Sequence, residues 1–347
     1  MRIDACESWH ERAPLARPYT IAYETVDAVE LCYVRLVAGG HAGHGCASPI
    51  PEVTGEDMPA CRAALEAAAE DLRAGRDPAA ALAGRPAAAA AIDMARHDLR
   101  ARVAGKPLVE LLGRVHGPLP TSITIGIKPT MAEVLDEARE HLGRGFRAIK
   151  VKIGLDLDED LERLARLREL VGGRARLTID ANQGFRPADL PRLFRALDEL
   201  DIDFLEQPLP PALDDECLRL AARDRARLAL DESLLSPADA RAHAAAGRAG
   251  IYNIKLMKCG GPSPALEIAR VAHDHGVALM WGCSDESRIG IAAALHVALA
   301  APATRFLDLD GHLDLARDRG RGGFEIVDGL MYPSGAPGLG VDVEAWS

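Results

Sequence analysis

From Thr121 to about Asp310, short β-type runs alternate eight times with helical stretches. Alternation of this kind implies parallel strands joined by crossover helices. The expected strands are Ile123 to Ile127, Ala148 to Ile153, Leu177 to Ala181, Asp203 to Glu206, Leu228 to Asp231, Tyr252 to Leu256, Ala278 to Gly282 and Phe306 to Asp310. Eight units in so short a span suit a closed barrel better than an open doubly wound sheet. The G-x-G-x-x-G loop of a dinucleotide site is missing after the first strand. At 347 residues the chain exceeds one ordinary domain, yet it fits a barrel of roughly 250 residues plus a smaller domain.

The first 120 residues supply that smaller domain. An alternating run covers Ala28 to Val37, and Ala-rich helices are expected near Pro59 to Ala74 and Pro86 to Ala104, an α+β pattern. The tail, Gly322 to Ser347, is rich in Gly and Pro and is expected to fold back on it. The expected fold is therefore α/β: a modified (β/α)8-type, TIM-like barrel over 121–321. An α+β capping domain is built from 1–120 and the tail 322–347.

Composition narrows the partners. A formal net charge of -11 and no long basic run argue against a phosphate backbone as ligand, since that affinity comes from clustered Lys and Arg. Met1 to Pro14 carries Asp4, Glu7, His10, Glu11 and Arg12 and holds no apolar signal core. No later stretch is long and apolar enough to span a bilayer. The seven cysteines are scattered and never in C-x-x-C spacing, so neither a zinc site nor a disulfide framework is suggested, and a cytoplasmic location fits.

In a barrel enzyme the active site lies at the C-terminal strand ends, where a charged side chain stands out against apolar layers. Most strands here end in one. They are Lys150 and Lys152 in AIKVKIG, Asp180 in TIDANQGF, Glu206 in FLEQPL, Asp231 in LALDES, Lys255 in YNIKLMKCGG, and Asp308 with Asp310 in FLDLDGHLDL. From Lys152 onward the separations are 28, 26, 25 and 24 residues, placing these groups on strands two to six. Asp308 falls on strand eight.

Three carboxylates on adjacent strands repel one another unless a cation lies between them. Oxygen-only ligands without His or Cys favour a hard ion such as Mg²⁺. Acidic residues at strand ends also cap helices, an ordinary use that accounts for one of them more readily than for three. Strands two and six lie four positions apart in an eight-stranded barrel, so Lys152 and Lys255 face each other across the site. Lys150 and Lys152 share a face of one strand, where repulsion is expected to lower an ammonium pKa toward that of a general base. Asp308 and Asp310 are expected to attract the ammonium end of a zwitterionic substrate. Lys258 is expected to pair structurally.

These motifs resemble the enolase superfamily in its muconate-lactonizing branch, and more narrowly the dipeptide epimerases. The resemblance covers nearly the whole chain and includes AIDMARHDL, GKPLVELLG, K-V-K at 150–152, DANQGF, EQPL, DES, NIKLMKCGG and SRIG. It implies Asp180, Glu206 and Asp231 as ligands of one Mg²⁺ per subunit and Lys152 and Lys255 as bases, with Lys150 beside them. It further implies substrate contacts at Asp308, Asp310, Thr124, Ser284, Tyr19 and Glu24. The D-x-D at 308–310 is similar to the element by which dipeptide epimerases hold the substrate ammonium.

The catalytic His of the mandelate racemase branch has no counterpart in ALMWGCSDES, and His296 and His312 are expected to be ordinary polar residues. In the loop PYTIAYET this chain has Glu24, where members acting on Ala-Glu tend to carry a basic residue. That departure points away from Ala-Glu and toward a cationic or neutral second residue. The implied reaction is a Mg-assisted 1,1-proton transfer through an enediolate, interconverting L,L- and L,D-dipeptides. A homo-oligomer is expected from the family habit. The rivals are an N-acylamino acid racemase or o-succinylbenzoate synthase, a muconate-type cycloisomerase, and a barrel that binds a metal-chelated peptide without turnover.

Overall fold

The computed structural model describes residues 2–20 and 25–344, with the side chains of 18–20 and 25 left out. Strands Ala5–Thr20, Thr25–Ala38 and His41–Ala47 form an antiparallel sheet in that order. Sequence patterning shows only the middle one. The first strand buries few residues, among them Cys6, Ala13 and Leu15, and its polar remainder hides the alternation. The third, HAGHGCA, lacks β-branched residues for a steric reason. A Cβ at Gly45 would lie 1.9 Å from the carbonyl oxygen of Ala91, on the helix Pro86–Val103. Small residues on both sides let the helix lie directly on the sheet.

Helix Met58–Arg73 starts at Asp57, whose side chain accepts from the Ala60 N–H at 2.8 Å. Helix Pro86–Val103 has no cap from its own first residue. The buried Glu56 instead accepts the Ala87 N–H at 2.9 Å.

Eight parallel strands follow: Ile123–Ile125, Ala148–Lys152, Arg176–Asp180, Ile202–Glu206, Leu228–Leu230, Ile251–Ile254, Ala278–Trp281 and Thr304–Leu307, here strands one to eight. They pair in sequence order. A parallel bridge between Thr121 and Leu307 and a 2.8 Å bond from Ser122 N to Leu307 O join the last strand to the first. The sheet therefore closes into the expected barrel. Phe204, Ala229, Ile251 and Met280, from strands four to seven, form one apolar cluster. Residues two positions further on, Glu206, Asp231 and Asn253, share its face one layer higher, so burial below fixes what points into the mouth above.

Asp93 and Asp98 link the capping helix Pro86–Val103 to the rest. Asp93 accepts Ser263 N at 2.6 Å and Ser263 Oγ at 2.9 Å, at the start of helix Pro262–Asp274. Asp98, fully buried, accepts His44 N at 2.8 Å, the Arg102 guanidinium at 2.9 Å and Leu339 N at 2.7 Å. One carboxylate thus ties a strand, a helix and the tail together. In the tail, Gly320–Gly322 pairs with Val341–Val343, and Phe324–Val327 pairs with Leu330–Pro333. All seven cysteines are free. Among the described residues no helix is long and apolar enough to cross a membrane.

Candidate active site

Asp180 and Glu206 close strands three and four and are register partners. Lys152 closes strand two and is the register partner of Asp180. Asp231 follows the last residue of strand five, and Lys255 the last of strand six. The three carboxylates are 1%, 0% and 2% exposed, so none of them serves the surface. Lys150 is buried beside them. Its Nζ lies 3.1 Å from Asp180, 3.0 Å from Glu206 and 2.8 Å from Asp308.

The other two lysines differ in openness. Lys152 has 37% of its side chain exposed and reaches Asp180 at 3.3 Å and Asn182 Oδ1 at 2.9 Å. Lys255 is mostly enclosed and lies 2.8 Å from Asp231 Oδ2. Lys258 takes the other oxygen of Asp231, the structural pairing expected of it.

Electrostatics correct one expectation. Repulsion between Lys150 and Lys152 was to lower an ammonium pKa, yet Lys150 is held well above the ordinary lysine value. Burial opposes its charge, but Asp180, Asp308 and Glu206 together outweigh burial. Lys255 is likewise raised: burial works against the charge and Asp231 overcomes it. Among the acids, burial and then Asp180 push Glu206 up to about 8. Asp180 falls to about 2, since Lys150 and Lys152 outweigh its burial.

The donors suit a hard divalent cation. They are carboxylate oxygens alone, on three neighbouring strands, with neither His nor Cys among them. Glu206 presents one oxygen to Asn253 Nδ2 at 2.6 Å. Its buried Oε2 has no aligned hydrogen-bond donor, although the Lys150 ammonium is 3.0 Å away. Among the described residues no three such side chains converge on one point as they stand; lysine ammonium groups stand between them.

Asp308 and Asp310 are not equivalent. Asp308 is engaged by Lys150 and by Ser122 Oγ. Asp310 accepts the Thr124 N–H at 2.8 Å and lies 3.8 Å from Cys283 Sγ, and burial followed by Asp308 pushes it up to about 6. Beyond it gather Asp285, Asp314 and Glu137. Asp314 keeps an exposed edge, and partial desolvation followed by these neighbours, led by Asp310, holds its carboxyl above the ordinary value. Half-buried Ser284 belongs to the loop after strand seven, its N–H directed at Glu286. Tyr19 is described in its backbone only, and Glu24 lies outside the described residues.

His296 accepts the Val109 N–H, and His312 packs edge-on against Phe324, neither contacting the lysines or the three carboxylates. Sequence reasoning missed Ser122, Asn182, Gln207 and Asn253. Asn253 was within reach, since it lies two residues before Lys255 and shares its side of strand six.

A closed parallel barrel with carboxylates on three adjacent strand ends and lysines on opposed ones, under an α+β cap, defines a member of the enolase superfamily, and the chain belongs to it. Residues 6–113 match the mandelate racemase / muconate lactonizing enzyme N-terminal domain, and residues 133–346 the enolase C-terminal domain-like family. Within that family the chain is 51% identical to the L-Lys-D/L-Arg epimerase of Methylococcus capsulatus, over 98% of this chain and 99% of the relative. It is 31% identical to the L-Ala-D/L-Glu epimerase of Bacillus subtilis, over 98% and 97%. A crystal structure of the Methylococcus capsulatus dipeptide epimerase, complexed with Mg and the dipeptide L-Arg-D-Lys, superposes with a TM-score of 0.94 at 50% identity. It covers 99% of this chain and 100% of that one.

Proposed function

We propose that this chain is a Mg²⁺-dependent dipeptide epimerase that inverts the α-carbon of the C-terminal residue and prefers cationic dipeptides. The observation that carries the proposal is the pair of lysines, Lys152 and Lys255, at the ends of strands four positions apart, with Asp180, Glu206 and Asp231 on the strand ends between them. Binding alone needs no ammonium group on each side of a ligand. A proton transfer that inverts a centre needs one acid and one base on opposite faces.

Asp180, Glu206 and Asp231 would hold the Mg²⁺. Bound there, it supplies positive charge to the substrate carboxylate and cancels the carboxylate field that keeps the lysines protonated. Lys152 or Lys255, whichever faces the α-hydrogen, takes that proton. The opposed lysine returns one to the other face of the planar, deprotonated substrate. Lys150 balances the charge of Asp180 and Glu206 from below and stays an ammonium.

Asp310 would receive the free amine of the substrate. Asp285 and Asp314 interact with Asp310 or with each other, and Glu137 nearby pairs with Lys128 at 3.0 Å; this acidic surrounding supports a preference for positively charged side chains. That preference agrees with the Lys and Arg named for the 51% identical relative.

The test is proton NMR of a dipeptide panel in D₂O with Mg²⁺. L-Lys-L-Arg and L-Arg-L-Lys should lose the α-proton signal of the C-terminal residue and yield the L,D form, well ahead of L-Ala-L-Glu. Equal or faster turnover of L-Ala-L-Glu would overturn the cationic preference, and no exchange on any free-amine dipeptide would overturn the epimerase.

A further inference from the structure

We propose that Gln207 is a positioning residue that fixes the relative placement of all three metal-binding carboxylates. It follows Glu206 directly, is 1% exposed, and has φ of +32°, a left-handed conformation that a residue with a side chain rarely holds without a reason.

The backbone explains the reason. Strands four and five pair through Glu206 and Ala229, and Gln207 N donates to Ala229 O at 2.9 Å. Continuing that parallel ladder, the next bond would run from Asp231 N to the main-chain carbonyl of Gln207. The left-handed turn swings that carbonyl the other way, where it accepts Gln183 N at 2.7 Å, beside the end of strand three. Its place is taken by the side chain of the same residue. Gln207 Oε1 accepts Asp231 N at 2.9 Å and Ser233 N at 3.2 Å.

The amide is fully used. Nε2 donates to Leu209 O and to Ser233 Oγ, each at 2.8 Å, and Ser233 Oγ in turn bonds Asp214 at 2.9 Å. Two N–H groups on one side and two oxygens on the other leave the amide a single orientation. One residue thereby ties the strand end after Asp180, the one carrying Glu206 and the one carrying Asp231. Sheet pairing stops at Leu230, so Gln207 takes the place of the ladder in fixing the Asp231 backbone, whose carboxylate Lys255 and Lys258 then engage. Groups that orient metal ligands in this way typically matter by about ten- to hundredfold in metal affinity.

The inference rests on the Mg²⁺ reading above. Its test is a titration of the substrate-free protein with Mn²⁺, followed by the electron paramagnetic resonance of the free ion. Gln207→Met keeps the bulk and removes the bonds to Asp231 and Ser233. Its Mn²⁺ affinity should fall about ten- to hundredfold, a readout that a purely structural role would leave in place. Gln207→Gly relieves the backbone and removes the amide; it folds where the Met variant does not, and the same loss is expected. Wild-type affinity in either variant overturns the inference. Failure of the wild-type protein itself to bind Mn²⁺ overturns the metal reading instead.

Discussion

Asp308 and Asp310 show how much a single side chain's surroundings decide. Their D-x-D spacing reads as one anchor with two equal arms. In the fold, Asp308 is enclosed by Lys150 and Ser122, whereas Asp310 meets no ammonium group among the described residues and is held by the Thr124 N–H and, more weakly, the Cys283 thiol. The recognition of a free amine should therefore rest on Asp310. Asp310→Asn should raise KM for free-amine dipeptides at least tenfold, since hydrogen bonds to charged groups contribute about 1.5–3 kcal/mol. Turnover of an N-succinyl amino acid should change little or improve, measured by the same α-proton exchange. Asp308→Asn instead removes one of three carboxylates around the buried Lys150, while Asp180 at 3.1 Å and Glu206 at 3.0 Å still balance its charge. It should destabilise the protein by no more than the about 1.5–3 kcal/mol of one hydrogen bond to a charged group, read by urea unfolding. The carboxylates and lysines were legible in the sequence because charge at a barrel strand end is conspicuous. The amides Asn182, Gln207 and Asn253 were not, because an uncharged polar residue leaves no such contrast and its role depends on which neighbour it meets.

Among elements, the barrel strands were the easiest to find and the cap strands the hardest. Each barrel strand is a short, nearly continuous apolar run between helices, as burial on both faces requires. The observed strands stop one to three residues before most of the expected ends. Asp231, Lys255 and Asp310 lie past the last ladder bond, where side chains and loops hold them, while Asp308 N makes that last bond to Trp281 O at 2.8 Å. In the cap, His41–Ala47 is a strand by position rather than by propensity. Its Gly45 is there for the approach of helix Pro86–Val103. Gly45→Ala should force the two elements apart and lower stability by about 1–3 kcal/mol or more, whereas Gly143→Ala, at an ordinary helical backbone with nothing within 4 Å, should cost far less. Thermal unfolding of the two variants side by side checks the contrast.

For the molecule as a whole, burial of neutral histidines gives stability a particular acid limb. Burial holds His141 down to about 4, His296 to about 4 and His312 to about 3, against 6.5 when free. The unfolded chain binds these protons first, so their contribution is complete above pH 6.5 and is lost as pH falls toward 4. A His141→Gln variant should show a shallower decline of unfolding temperature over that window; an unchanged slope would remove His141 from the account. The cap, the barrel and the tail all converge on one arrangement, a lysine on each face of a bound substrate. The direct test is deuterium wash-in with Lys152→Ala and Lys255→Ala, each given both epimers of L-Lys-Arg in D₂O with Mg²⁺. Each variant should lose epimerisation by at least about 10²-fold. Each should also keep exchange without inversion on one epimer, the two variants retaining opposite ones. Exchange of both epimers by either variant, or inversion at the wild-type rate, would contradict the two-lysine mechanism.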